Sequence, residues 1–268
     1  MESTNNTKKQ KEYDTSINII GGLRDIAVIH KAFVSYFNED DSLDELISER
    51  NELNLRTERS RIRVERAIRN GFLDFKNQKH IDLCKNYFAR DNLLPDSEYV
   101  LFWQYALANR LFREITTNVF VKAYFSGRAG LSKEDIIAYL KEFLNQNGHL
   151  GLDWSESTIS TLATKYLNLM TKLRLLEGAR IKSFHHIRLP DESLVLFLYF
   201  ADLHEPQNRN ILKNEFFPLC FVSREEILDR LKEISLKGYF EMSYDGVDLN
   251  VDLTTSYQRI CDALYNGS

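Results

Sequence analysis

The chain has 268 residues and a formal net charge of −4, with 43% hydrophobic and 12% aromatic residues. That is enough apolar mass for two or three small subdomains and excludes a disordered chain; the weakly acidic balance excludes a global pull toward nucleic acid, so any such contact has to come from a local patch. Eleven glycines and four prolines are few for this length, which argues for long helices and short turns over a sandwich or barrel.

Residues 1–13 form a polar tail, expected to be disordered. Gly21-Gly22 breaks the chain before an expected helix over Leu23–Phe37, with Leu23, Ile26, Ala27, Phe33 and Phe37 among its buried positions. The glycine pair is no phosphate loop, because neither a second spaced glycine nor a Lys-Ser/Thr follows it. Ser42-Leu43-Asp44-Glu45 has the form of a capping box and opens a short helix with Leu43, Leu46 and Ile47 as its apolar residues. Between Arg56 and Arg69 the chain then carries six arginines (Arg56, Arg59, Arg61, Arg63, Arg66, Arg69) against two acids, Glu58 and Glu65. Thr57 is the expected N-cap, with Glu58 suited to the positive end of the helix dipole. Val64, Ile68 and Phe72 recur as a buried stripe, and Arg59, Arg63, Arg66 and Asn70 recur on the opposite face. Two short helices with a tight connection, the second one basic, form the layout of a helix-turn-helix. The bland alternative is a solvated face on which Glu65 pairs with Arg61 and Arg69. The use of arginine weighs against it, since the guanidinium fork matches phosphate oxygens and the guanine edge.

Residues 78–126 read as a helical middle. Pro95 starts a segment apolar on most faces, expected as one long or two consecutive buried helices with Trp103, Tyr105, Phe112, Phe120 and Tyr124 in the core. Ser132 with Asp135 forms another capping box, and its helix runs to about Asn147. The helix after Asp153-Trp154 buries Ile159, Leu162, Tyr166, Leu169, Met170, Leu173 and Leu176. A strand is expected over Arg180–Leu189, so the order helix, turn, helix, strand is that of a winged helix. Its exposed face is hydroxyl-rich and lightly basic, a weaker nucleic-acid candidate than the arginine helix. Pro190 opens an apolar helix to about Leu203, and Ser223 with Glu226 reads as a third capping box. Phe240–Leu253 is a hairpin turning at Asp245-Gly246. Its Glu241, Asp245, Asp248 and Asp252 would repel phosphates, so it is read as a packing or protein-contact element.

These features predict a mainly α protein: a helical bundle with helix-turn-helix and winged-helix-like subdomains and a small C-terminal β-hairpin. The expected divisions are the tail at 1–13, an N-terminal helical domain at 14–76 with the helix-turn-helix, a central helical core at 77–130, a winged-helix-like region at 131–190, and C-terminal helices with the hairpin at 191–268.

Ile19–Ala27 with its glycine pair, the arginine-rich Asn54–Ile68, Trp154–Thr158 with the helix to Leu176, and Ser223–Gly238 with its hairpin together resemble the BrxA family of bacteriophage exclusion (BREX) defence systems. The likeness runs through roughly Asp14–Leu253 and rests on order and pattern, not on a catalytic signature. It implies a mostly helical protein that binds double-stranded DNA and works beside a DNA methyltransferase and other BREX defence proteins. Carried onto this chain, it makes Arg56, Arg59, Ser60, Arg63 and Arg66 the expected DNA-binding residues. A protein-interaction adaptor, docking other defence components through its winged-helix-like modules, is the alternative.

No enzyme, cofactor or metal is expected. Adjacent His185 and His186 would point to opposite faces of a strand, and His30, His80, His149 and His204 have no partner at metal-ligand spacing. Asp40 and Asp41 read as turn acids, and neither a Gly-x-Ser-x-Gly elbow nor a Walker loop occurs. Cys84, Cys220 and Cys261 lie far apart and read as thiols of a reducing compartment. The longest apolar run, Leu194–Ala201, falls far short of the ~20 residues that span a bilayer. The expectation is a cytoplasmic protein with no membrane contact.

Overall fold

The computed structural model describes residues 13–38, 43–89, 94 and 96–265. The readings placed on residues 1–12, on Asp40, Asp41 and Ser42, and on Pro95 lie outside the described residues. In chain order the helices are α1 (Ile17–Ile20), α2 (Ala27–Asn38), α3 (Glu58–Phe72), α4 (Gln78–Phe88), α5 (Ser97–Ala108), α6 (Arg110–Ile115), α7 (Lys122–Phe125), α8 (Lys133–Gln146), α9 (Glu156–Lys172), α10 (Asp191–His204), α11 (Arg224–Ser235) and α12 (Ile260–Tyr265). The strands are β1 (Gly130–Leu131), β2 (Leu176–Glu177), β3 (Lys182–Phe184), β4 (Phe240–Tyr244) and β5 (Leu249–Leu253). The fold is mainly α with a small C-terminal hairpin, as the sequence predicts, and the chain divides into two units, each assembled from separated stretches.

The first unit gathers residues up to Ile29, Leu43–Leu73 and Tyr105–Ile187. It opens with α1, a single turn that buries Ile17 and Ile20 completely. The next helix, α2, starts later than the periodicity predicts, because Asp25 Oδ1 accepts the Ala27 N–H at 2.9 Å. Ala27 is therefore exposed, and Val28 and Ile29 are buried in its place. Glu45–Glu49 is a π-helical turn where a short α-helix was expected, although Leu46 and Ile47 are buried as the pattern requires.

Of the two expected forms of the central segment, the structure has consecutive helices, with the break at Asn109. Its Oδ1 accepts the Phe112 N–H at 2.7 Å, capping α6, while its amide donates to Asp14 O at 3.0 Å. A π-helical segment, Thr116–Val121, follows, and its buried Thr116 hydroxyl bonds Phe112 O at 2.8 Å and the Tyr166 hydroxyl at 3.0 Å. Ring packing knits these helices together: Phe72 stacks on Tyr105 (5.2 Å between centres), Tyr105 meets Phe112 (4.9 Å), and Phe112 meets Tyr166 (5.6 Å).

From β1 to β3 the first unit has the order of a winged helix: strand, two helices, two strands. Both pairings are antiparallel and the sheet order is β1-β3-β2, with Leu131 opposite Lys182 and Leu176 opposite Phe184. Ser132 and Asp135 form the expected reciprocal cap at the start of α8, and Arg128 grips Asp135 through two bonds of 3.0 and 2.8 Å. The stripe read for α9, from Ile159 to Leu173, is buried throughout. The expected strand over Arg180–Leu189 shrinks to Lys182–Phe184, because its partners β1 and β2 are two residues long. At the other end of this region α1 presses on α9: a Cβ added to Gly21 would lie 2.1 Å from Lys165 O, so only glycine fits. Lys172 Nζ then donates to Gly21 O at 2.8 Å.

The second unit takes the described parts of His30–Ser42, Asp74–Gln104 and Arg188–Ser268. Its centre is α10, in which Ser193–Ala201 is buried on every face, as its apolar run predicts. Trp103 packs against Phe197 and Phe200 and donates its indole N–H to Leu219 O at 3.0 Å. The third capping box is one-sided: Ser223 Oγ accepts the Glu226 N–H at 3.1 Å, while Glu226 Oε1 lies 3.6 Å from Arg230. The hairpin pairs Phe240 with Leu253 and Tyr244 with Leu249. All three cysteines are buried and free.

His80 is fully enclosed in the second unit. Its Nδ1 accepts the Lys76 N–H at 3.2 Å, which leaves Nε2–H to donate to Gln104 Oε1 at 2.6 Å. Burial is the largest influence on the ring and pushes its pKa down to about 4.

Two stability predictions follow from this packing. Gly21→Ala should cost on the order of 3 kcal/mol through overpacking against the α9 backbone. Urea midpoints check it, with Gly148→Ala as control, since a Cβ there meets nothing within 4 Å. For His80, the ring is neutral in both folded and unfolded states above its ordinary pKa of ~6.5. Between there and about 4 only the unfolded chain takes up the proton. Stability should therefore fall by roughly 3 kcal/mol across that window. Denaturant midpoints in that pH range should drop more steeply for the wild type than for His80→Gln.

Candidate nucleic-acid interface

The arginine helix α3 forms as its sequence dictates. Thr57 is extended (φ −126°) and its hydroxyl accepts the Ser60 N–H at 3.2 Å, the expected N-cap. Val64, Ala67, Ile68, Gly71 and Phe72 are its buried positions. The approach to the helix is fixed by Asn51, which sits at φ +47° and bonds Leu55 twice. Its Oδ1 accepts the Leu55 N–H at 2.8 Å and its amide donates to Leu55 O at 3.1 Å.

This packing sorts the six arginines. Arg69 is tied to Glu65 at 2.6 Å. Arg61, the other expected partner of Glu65, instead lies half-buried against the loop, with one guanidinium nitrogen 3.5 Å from Leu55 O. Arg56, Arg59, Arg63 and Arg66 are exposed, and none has an ion-pair partner among the described residues. Ser60 is half-buried and shares its hydroxyl with Thr57 at 2.8 Å, so its first role is in the cap. Arg56, Ser60 and Arg63 wall a cleft of ≈460 Å³ whose other side is Gly22, Leu23 and Arg24. The structure thus brings Arg56, Ser60 and Arg63 to one opening, with Arg59 and Arg66 further round the same helix.

Two side chains of this face escaped the sequence reading. Arg24 joins the cleft from the α1–α2 link, which no spacing in the chain reveals. Ile62 is 42% exposed among the arginines. Its place between Arg66 and Arg69 on the helical wheel is a readable signal.

Elsewhere, donor atoms of His204, Glu205 and Glu215 lie within 4.8 Å of one another. Both Glu205 oxygens are already engaged, one by the Glu215 N–H at 3.1 Å and the other by the Asn208 amide at 2.7 Å. The geometry is that of a structured loop around a histidine. No helix among the described residues is long and apolar enough to cross a membrane.

Fold and surface together define a class: a mainly helical protein with a winged-helix-like part and one helix face lined by arginines that have no ion-pair partner among the described residues. The BrxA family model matches residues 30–198, more than half of the chain, and the chain belongs to the BrxA family, which ties it to BREX anti-phage defence. The Ile19–Ala27 and Ser223–Gly238 markers lie outside the matched stretch. The chain is also similar in fold to the crystal structure of an uncharacterized protein from Magnetospirillum magneticum. That match has a TM-score of 0.54 and 14% identity, and covers 78% of this chain and 98% of that one. None of the curated proteins matches.

Removing the one acid paired on this face should strengthen its field. Glu65→Gln releases Arg69, so the protein should elute from a heparin column at higher salt than the wild type. Unchanged elution would mean that α3 does not meet the polyanion.

Proposed function

We propose that the chain is a non-enzymatic accessory protein of a BREX system that binds double-stranded DNA through the exposed face of α3. The observation that carries this reading is the set Arg56, Arg59, Arg63 and Arg66: four exposed guanidinium groups on one capped helix, without ion-pair partners among the described residues. A cation already paired within its own chain must break that pair to reach a phosphate, and these do not. In this reading the π-helical turn Glu45–Glu49, the Asn51 loop and α3 act as a helix-turn-helix. Arg59, Arg63 and Arg66 hold phosphates, and the capped end with Arg56 and Ser60 faces a groove. Other BREX proteins, among them a DNA methyltransferase, are the expected cytoplasmic partners.

An adaptor role has its own support in the second unit, where Leu236 is 89% and Val247 72% exposed beside an acidic hairpin. Apolar side chains left in water at those levels suit a protein surface better than a phosphate backbone.

A fluorescence-anisotropy titration against a labelled duplex at two salt concentrations separates the two. Binding should weaken with salt. The Arg59/Arg63/Arg66→Ala variant should lose at least tenfold in affinity and about 3 units of log–log salt slope. A folded triple variant that binds like the wild type would remove α3 as the site. An absence of wild-type binding at low salt would leave the adaptor role standing.

A further inference from the structure

The β2–β3 turn of the first unit places an apolar side chain and cations together on the surface. Gly178 sits at φ +87°, and a Cβ there would lie 2.2 Å from Ile181 O, so the turn is closed tightly on its own backbone. Lys182 Nζ donates to Gly178 O at 2.7 Å across it. The result is a tip that holds Ile181 83% exposed, between exposed Arg180 and half-buried Lys182. Large aliphatic side chains are seldom presented this way by a structured turn unless something covers them.

The surroundings say what kind of surface would cover it. Ile181 itself lines an open groove of ≈530 Å³ whose charged residues are Arg128, Lys133, Arg180 and Lys182 against one acid, Glu134. The Thr161 and Thr164 hydroxyls donate to Ser157 O and Ser160 O of their own helix at 2.8 and 2.9 Å, which leaves the Asn168 amide as the α9 donor suited to a phosphate oxygen here. Lys165, Lys172, Arg180 and Lys182 have no ion-pair partner among the described residues. The cations are close enough to act on one another: the Lys172 ammonium is held below its ordinary pKa, first by burial and then by Lys165 and Lys182. Such a field favours a polyanion over a protein or lipid tail.

This surface also runs toward α3. A Cβ on Gly22 would come within 3.3 Å of Lys165 Nζ, and Gly22 itself lines the cleft that holds Arg56 and Arg63. Lys165 thus stands between the turn and the arginine helix within a single unit.

We propose that the β2–β3 turn is a second duplex-DNA contact, in which Ile181 enters the minor groove as an apolar wedge while Arg180 and Lys182 hold the flanking phosphates. The inference rests on the DNA-binding reading of α3 and adds to it a site, a groove and a deformation of the DNA. Apolar wedges of this kind partly unstack a base step and kink the duplex. Lys165 bridges the path between the two contacts.

The test uses the full chain and a 30-base-pair duplex carrying a donor and an acceptor dye at its ends, read by anisotropy for binding and by energy transfer for bending. Three variants are compared with the wild type: Ile181→Ala, Arg180→Ala/Lys182→Gln, and Arg59/Arg63/Arg66→Ala. Ile181 is so exposed that its truncation leaves the fold intact, and circular dichroism checks the others. Wild-type binding should raise energy transfer. Ile181→Ala should bind about tenfold more weakly, keep the wild-type salt slope and lose the rise in transfer. Arg180→Ala/Lys182→Gln should lower the slope by about 2. If both turn variants bind and bend DNA as the wild type does while the arginine variant fails, the wedge is refuted and the α3 reading stands. If the turn variants fail while the arginine variant binds normally, α3 is the wrong site and the turn is the right one. Wild-type binding without any change in transfer refutes the wedge, and no wild-type binding at low salt refutes both sites.

Discussion

The first unit depends on a contact that has no side chain in it. At Gly21 the end of α1 lies so close to Lys165 O that no Cβ fits, and Lys172 reaches back to hold the Gly21 carbonyl. Helix ends leave carbonyls without intrahelical partners; here a lysine from α9 satisfies one of them. That contact joins the α1–α2 link, one wall of the α3 cleft, to the winged-helix-like part. A second tie runs through the buried Tyr105, whose hydroxyl meets Ser16 Oγ at 2.9 Å while its ring stacks on Phe72 at the end of α3. Polar bonds and ring packing therefore fix both ends of the same assembly, so the arginines of α3 project from a rigid support and not from an isolated helix.

Charge is distributed against the chain's overall sign. The net charge is −4, yet cations with no ion-pair partner among the described residues gather on α3 and along α9 and the β2–β3 turn of the first unit. The hairpin acids of the second unit are partly neutralised by neighbours: Asp252 lies 2.9 Å from Arg209 and Asp248 2.7 Å from Lys213. At physiological salt, fields decay within roughly 8 Å. Charges beyond that range have little influence at the arginine face, and the local arrangement decides what that face attracts.

Much of the fold was legible because local chemistry controlled it. Thr57, Ser132 and Ser155 start helices as their side chains predict, and the stripes of α3 and α9 are buried residue for residue. The outward set Arg56, Arg59, Arg63 and Arg66 was legible for the same reason. What could not be read depends on distant partners. Asn109 looks like one polar residue in an apolar run; its cap on Phe112 is local, but the bonds of its amide to Asp14 O and Ser16 Oγ come from far along the chain. The split of the chain into interleaved units, the place of Arg24 at the cleft and the two-residue strands that cut β3 short all arise from tertiary pairing. The cap at Ser223 shows a subtler limit: the sequence had both partners, but Arg230 draws Glu226 away from the reciprocal bond.

On the DNA-binding reading, the number of free cations would make the α3 face on its own a modest anchor. Of six arginines, the fold commits Arg69 to Glu65 and turns Arg61 toward Leu55, leaving four outward. On the proposed reading three of them, Arg59, Arg63 and Arg66, would meet phosphates and release about three condensed counterions, a term that shrinks steeply as salt rises. Such a surface associates readily and lets go readily. In the proposed role, a second contact or a partner on the same DNA would lengthen the residence time. The pairing of Arg69 also sets a direction: it leaves the free charge on the N-terminal two-thirds of α3, next to the Thr57 cap. There the positive end of the helix dipole adds to the arginine field, so the strongest attraction for an anion lies at the mouth of the cleft.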